Sequence, residues 1–226
     1  DRDGRLYQLV SFDRRALHAG VSDWKGFASL NAHAIGISLQ NAGRLKAEGA
    51  LFKSSTGGRY RPDQIERARP RLATSGGAVA PWERFTDAQL DTCEAVLKAL
   101  KGAYPGLMDV IGHDEIAMGR RDDPGPLFPW PRMRHHFPAA LSDFGPARQV
   151  RNAGVALFKG PDPSFSKVAT LNVGARVHLR SHVYKEVWID GRLVRTERTG
   201  WVAVAYEKSA EHAGFARLDA LERTVG

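Results

Sequence analysis

Gly112-His113-Asp114-Glu115-Ile116-Ala117-Met118-Gly119-Arg120-Arg121-Asp122-Asp123-Pro124-Gly125-Pro126 is the stretch on which the reading of this chain turns. His113 closes the short apolar run Val110-Ile111-Gly112, which predicts a strand ending in a histidine. A histidine there is poorly suited to pure core packing. Asp123 precedes a proline, which biases its backbone to an extended conformation. Pro124-Gly125-Pro126 then removes backbone freedom and can hold that carboxylate in one direction. A neutral imidazole and a fixed carboxylate can share a zinc ion, but a catalytic zinc takes three protein ligands and leaves a position for water. Spacing alone therefore leaves two readings open: part of a metal site, or a turn tied down by side-chain hydrogen bonds.

Upstream of this stretch, Asp3-Gly4 is a tight-turn signal. Leu6 to Val10 follows as a strand, and its opposite arm would lie before residue 1. Ala34 to Leu39 reads as a second short strand, ended by Asn41-Ala42-Gly43. Residues 44–85 are basic and rich in Gly and Pro, the pattern of a functional loop or lid. Thr86 is an N-cap with Gln89 placed to complete a capping box. Leu90, Val96, Leu97 and Leu100 give helical spacing, and Pro105-Gly106 predicts a stop near Ala103. Cys93 on this helix reads as a small core residue.

Downstream the pattern changes to short alternating segments: Val155 to Phe158, Ala169 to Leu171, Arg176 to Leu179, Tyr184 to Ile189, Leu193 to Glu197 and Trp201 to Val204. Asp190-Gly191 is a hairpin turn between two of them. This predicts a small antiparallel β barrel after a linker at 137–147.

The chain has 226 residues, 42% apolar and 26% charged, which suits one or two soluble domains with a sizeable core. No run of about 18 apolar residues exists, so no membrane-spanning helix is expected. The single cysteine excludes an intrachain disulfide and an all-cysteine zinc knuckle. The formal charge of +8 favours anionic partners. The basic residues are spread out, and the densest stretch, Arg59 to Arg71, lacks the interleaved aromatics of a nucleic-acid module, so no nucleic-acid partner is expected.

Several stretches, in order, resemble one family. Asp1-Arg2-Asp3-Gly4-Arg5-Leu6-Tyr7-Gln8-Leu9-Val10, Phe12 to Gly20, Ser22-Asp23-Trp24-Lys25-Gly26, Leu30-Asn31, Ile35-Gly36-Ile37 and Asp123-Pro124-Gly125-Pro126 with Phe128-Pro129-Trp130 are similar to the zinc amidases related to T7 lysozyme and peptidoglycan recognition proteins. Each piece is weak alone, and the ordered set is specific. The resemblance covers residues 1 to about 135. It implies an α/β fold, a mixed central sheet flanked by helices, over residues 1–136. Residues 148–226 would then form an SH3-like β domain, since Leu157 to Asp162 and Gly200-Trp201-Val202 resemble bacterial SH3 modules.

The resemblance also implies a chemistry. A zinc ion polarises the bond between the lactyl group of N-acetylmuramic acid and L-alanine of peptidoglycan, and activates a water. His113 and Asp123 fall on metal-ligand positions, and Arg121 falls where the family often has a lysine near the oxyanion. His18, Trp24 and Asn41 are expected along the substrate groove, where Trp82 and Trp130 could also lie. Two departures stand out. The family's first zinc histidine lies upstream of the hairpin, outside this chain, so a preceding segment or a partner chain would have to supply it. Ser38 occupies the place where the family commonly has its glutamate base, and a serine hydroxyl is too weakly basic to take the water's proton. The alternative expectation is therefore an amidase-like peptidoglycan-binding or structural protein without catalysis. A cell-envelope, secreted or phage-delivered location fits either reading better than a purely cytoplasmic one.

Overall fold

Thr86 opens the longest helix among the described residues by the means its sequence predicts. In a computed structural model of the chain, which describes residues 1–71, 78–137, 147–159, 163–189, 191–206 and 209–223, helix α1 spans Asp87–Ala103. The Thr86 Oγ1 accepts from the Gln89 amide at 3.2 Å, and the Gln89 Oε1 accepts from the Thr86 amide at 3.1 Å. These reciprocal bonds satisfy two of the donors that a helix start leaves open. Gln89, Cys93, Leu97 and Leu100 form its buried stripe. Cys93 and Leu97 pack on Phe128, Met133 and Phe137, the last two from or just after the short helix α3 (Trp130–Arg134). Burial pushes the Cys93 thiol up to about 11, which suits a core residue.

The expected strands of the first half differ. Leu6 to Val10 and Ala34 to Leu39 form no strand and pair with none among the described residues. The reason is physical: a strand is held by a neighbour's hydrogen bonds, and neither segment has one here. Leu9 is 90% exposed in consequence. The turn at Asp3-Gly4 does form, with Gly4 at a φ of 83° and its amide bonded to the Asp1 carbonyl. The only strands before residue 44 are β1 (Asp23–Trp24) and β2 (Phe27–Ala28), a tight antiparallel pair. The expected loop at 44–85 is instead built from short strands. β3 (Lys46–Glu48), β4 (Leu51–Lys53) and β5 (Arg59–Tyr60) make one small sheet; β6 (Ile65–Ala68) and β7 (Ala80–Glu83) make another. The mixed central sheet is thus replaced by separate small antiparallel sheets among the described residues.

His113 does not end a strand. It begins the one-turn helix α2 (His113–Ile116), because Glu115 reaches back to the Gly112 amide at 2.8 Å and fixes a helical start.

The C-terminal strands follow the alternation of the sequence. They are β8 (Ala147–Val150), β9 (Val155–Phe158), β10 (Lys167–Leu171), β11 (Arg176–Ile189), β12 (Arg192–Tyr206), β13 (Ser209–Arg217) and β14 (Leu221–Arg223). The two segments expected on either side of residue 181 fuse into β11, and those flanking residue 199 fuse into β12. They make one seven-stranded antiparallel sheet in the order β10-β9-β13-β12-β11-β8-β14. The edge strands β10 and β14 do not pair, so the sheet is not closed by hydrogen bonds among the described residues. Leu171 of β10 and Leu221 of β14 nonetheless belong to one buried cluster with Leu157, Val177, Val202 and Val204. Three register shifts between β11 and β12 supply the bending, as bulges do. Most of the expected linker lies outside the described residues, as does Asp190.

Strand β11 lies against the first half. The Lys25 amide donates to the Arg180 carbonyl at 2.7 Å, and the Tyr184 amide donates to the Met118 carbonyl at 2.7 Å. Asp23, 4% exposed, accepts from the His182 amide and from the Tyr184 hydroxyl at 2.5 Å, and its other oxygen lies 3.1 Å from the His182 Nδ1. Gly119 must be glycine: its φ is 81°, and a Cβ would fall 2.2 Å from the Tyr184 carbonyl.

Candidate functional site

Helix α2 and the turn after it place His113 and Asp123 face to face. The Asp114 amide donates to the Asp123 carbonyl at 2.8 Å, which closes the intervening loop on itself. The Asp123–Pro124 peptide is cis. The His113 Nδ1 then lies 3.1 Å from the Asp123 Oδ2. On its other side, the His113 Nε2 lies 3.2 Å from the Ala19 carbonyl. A carbonyl and a carboxylate both only accept, so a neutral ring can donate to one of them and a doubly protonated ring to both. With the single proton on Nε2, the Nδ1 lone pair faces a carboxylate, leaving two acceptors in contact. Only a proton or a metal ion between them relieves that opposition. Burial raises the Asp123 carboxyl, but the hydrogen bond and charge of His113 outweigh it and hold the group below the usual carboxylate range.

The spacing suits zinc as well. Two ligands about 2.0–2.1 Å from a tetrahedral zinc sit about 3.3 Å apart, close to the observed separation. The set is short by one donor, however. No group of three His, Cys, Asp or Glu side chains that could hold a metal exists among the described residues. His113 and Asp123 thus fit two corners of a zinc site and do not complete it.

A cavity of about 750 Å³ opens beside this pair. Its lining brings together Trp24, Ser38, Asn41, His113 and Asp123, five of the residues that the sequence singled out. The rest is mostly apolar, with Ile37, Leu97, Val110 and Phe128 among it. Ser38 is exposed on the unpaired segment at 34–39. Asn41 spends its side chain on local structure, donating to the Glu83 carbonyl at 3.2 Å and accepting from the Gly43 amide at 2.8 Å. Trp24 is buried among Ala19, Leu30, Ile116 and Ala117, with one edge on the cavity.

His18 and Arg121 lie outside the lining. His18 stacks over Gly36, and its Nε2 lies 3.2 Å from the Ala34 carbonyl. Arg121 is exposed and donates to Glu186 on β11 at 3.2 Å. Of the other tryptophans, Trp82 is buried, with its Nε1 donating to the Ala68 carbonyl at 3.1 Å. Trp130 is held between the guanidinium groups of Arg71 and Arg134, at 4.4 and 4.3 Å from the ring centre.

Sequence reasoning missed three participants. The Ala19 carbonyl fixes the His113 ring and carries no sequence signal at all. Arg120 packs under the same carbonyl, donating to it at 2.8 Å and to the Val21 carbonyl at 3.0 Å. Gly20, at a φ of 59°, leaves room for that guanidinium, which a Cβ would approach to 3.1 Å. The pairing of Gly20 with an arginine a hundred residues later is visible only in three dimensions. The third is the buried pair Asp114 and Glu115 beneath the site. Arg71 binds Asp114 with two nitrogens, at 2.5 and 3.1 Å, and Arg134 donates to Glu115 at 2.7 Å. Burial nonetheless pushes the Asp114 carboxyl up to about 7, against the opposing pull of Arg71.

The His113–Asp123 pair beside the apolar cavity is the candidate site of this chain. The comparisons with known proteins give its family. A family model described as N-acetylmuramoyl-L-alanine amidase matches residues 1–126, more than half of the chain, and the chain belongs to that family. The chain is 34% identical over 134 residues to the 1,6-anhydro-N-acetylmuramyl-L-alanine amidase AmpD of Salmonella typhimurium strain SL1344, covering 59% of this chain and 51% of that protein. It is 33% identical over 130 residues to the N-acetylmuramoyl-L-alanine amidase AmiD of Escherichia coli K12, covering 57% of this chain and 37% of that protein. The chain thus spans about half the length of the AmpD relatives it matches, and less of AmiD. Among solved structures, the crystal structure of a selenomethionine AmpD derivative aligns with a TM-score of 0.38 at 32% identity, covering 61% of this chain and 56% of that one. The complex of E. coli AmiD with anhydro-N-acetylmuramic acid-L-Ala-D-gamma-Glu-L-Lys aligns with a TM-score of 0.40 at 30% identity, covering 60% and 42%.

Proposed function

We propose that this chain carries the His113–Asp123 side of a peptidoglycan amidase site, which hydrolyses the amide between the lactyl group of N-acetylmuramic acid and L-alanine. The observation that carries the reading is the His113 ring, pinned at Nε2 by Ala19 and facing Asp123 at 3.1 Å with Nδ1. The family match over the same residues supports it. A bound zinc would supply a polarised carbonyl and a water of lowered pKa. His113 and Asp123 would hold it, with a third donor from outside the described residues. This chain's own residues do the rest. The cavity offers an apolar wall for a glycopeptide and a polar rim at Ser38 and Asn41. Ser38 orients a water and does not take its proton. Arg121 stays cationic and can turn from Glu186 toward a developing oxyanion.

Ser38 also favours a second reading, an amidase-like protein that binds peptidoglycan without cutting it. Under either reading, the curled C-terminal sheet is proposed as an SH3-like wall-contact module. The buried cluster that includes residues of both edge strands supports a barrel-like packing of that sheet. No described helix is long and apolar enough to cross a membrane, and a cell-envelope location is the one that the proposed substrate favours.

The test is digestion of purified sacculi with added zinc, read by mass spectrometry. Release of stem peptides with a free L-alanine amine, lost on His113→Ala, is the expected result. A folded protein that pulls down sacculi and releases nothing would instead establish the binding reading.

A further inference from the structure

We propose that Glu186, on the C-terminal sheet, is a positioning residue for His113, acting through Arg120 and the Ala19 carbonyl. The inference rests on the amidase reading only for the importance of His113; the contacts stand without it.

The chain of contacts is short. The Glu186 Oε1 lies 3.9 Å from the Arg120 Nη1 and 3.2 Å from the Arg121 Nη1. The Arg120 side chain is only 6% exposed, so its charge is poorly hydrated. Burial lowers its pKa, and the nearby charge of Arg121 lowers it further; Glu186 is the first group to oppose them. A buried guanidinium without a carboxylate is strongly disfavoured, and Glu186 is the carboxylate that pairs with Arg120 among the described residues. Where it stays, its Nη2 holds the Ala19 carbonyl at 2.8 Å and the Val21 carbonyl at 3.0 Å. The same Ala19 oxygen lies 3.2 Å from the His113 Nε2, and Arg120 Nη2 closes the triangle at 3.5 Å from that nitrogen. Moving Arg120 frees the 19–21 backbone and with it the carbonyl that holds the ring in place. Outer partners of this kind set the orientation and basicity of a ligating histidine.

Glu186 itself has little freedom. Two residues earlier, Tyr184 is pinned by the Met118 carbonyl and by Asp23, so the strand is docked at that point. The residue lies outside the stretch matched by the family model, which ends at residue 126. The C-terminal sheet therefore supplies a part of the site's support that the first half alone does not contain.

The experiment uses the full chain, metal-free and labelled with ¹⁵N-histidine, with every variant at the same pH. His113 is assigned by its loss in His113→Ala. In Glu186→Gln the His113 Nδ1 and Nε2 resonances should move from their wild-type positions as the ring loses its fixed contact with the Ala19 carbonyl. Glu197→Gln is the control, since among the described residues Glu197 pairs with the exposed Lys185 and Arg195 on the same hairpin and should leave His113 unchanged. Unchanged His113 resonances in a folded Glu186→Gln protein would overturn the proposal. So would an equal shift in Glu197→Gln. Neither outcome depends on zinc or on cutting of peptidoglycan, so the amidase reading is judged separately by the sacculus digest.

Discussion

The two halves of the chain treat the same kind of sequence in opposite ways. Leu6 to Val10 and Ala34 to Leu39 alternate or run apolar like strands, and so do Val155 to Phe158 and Arg176 to Leu179. The second set pairs into a seven-stranded sheet with Leu157, Val177 and Val202 fully buried. The first set pairs with no strand among the described residues and leaves Leu6, Tyr7 and Leu9 in solvent. The residue types are alike; the neighbours are not. β-propensity is a preference for a pleated, half-buried surface, and it is expressed only where the rest of that surface is present.

This contrast can be broken or sharpened by substitution. The largest effect is expected in the sheet: Leu157→Ala, with no side-chain exposure to start from, should cost about 2–5 kcal/mol in urea unfolding. A cost below about 1 kcal/mol would mean that the sheet core is not the stable unit described here. Next is the seam between the halves. Gly119→Ala forces a Cβ against the Tyr184 carbonyl at a positive φ and should cost more than about 1 kcal/mol. Its signature is lost hydrogen-exchange protection at the Tyr184 amide. A smaller effect comes from Asp114. Its carboxyl, pushed up to about 7, binds a proton more tightly in the fold than in the unfolded chain. That contribution is full below the ordinary carboxylate range near pH 4 and is lost as pH rises through about 7. Asp114→Asn should therefore lose less stability than wild type between pH 5 and pH 8; parallel curves would refute the assignment. The smallest belongs to the unpaired segment. Leu9→Ser should change stability by less than about 0.5 kcal/mol, because the side chain buries almost nothing.

Local signals were legible in the sequence, and long-range partners were not. The Thr86–Gln89 box and Pro105-Gly106 sufficed for both ends of α1, since each signal acts within four residues. The C-terminal strands were legible from alternation, although β11 and β12 proved longer than their apolar cores. The strands inside 44–85 were not, because two- and three-residue strands leave too little pattern to read. At the site, the types of His113 and Asp123 were enough to single them out. The start of α2 at His113 depended on Glu115 turning back to Gly112, a capping contact that reads equally well as a turn. Arg120 shows the limit most plainly. Its neighbour Arg121 stood out by resemblance, whereas the contacts of Arg120 lie near residues 19–21 and 186.

The Asp23 carboxylate, shared with His182 and Tyr184 across the seam, has a consequence for modularity. Peptide continuity between the halves is redundant while that contact holds. A protease site introduced within 138–146 should give two fragments that elute from gel filtration as one particle. By the same token neither half is a cassette that can be transplanted alone. Cutting the sheet away would strand Asp23 without the two residues that satisfy it, so a graft needs a new covering surface or a neutral side chain at that position.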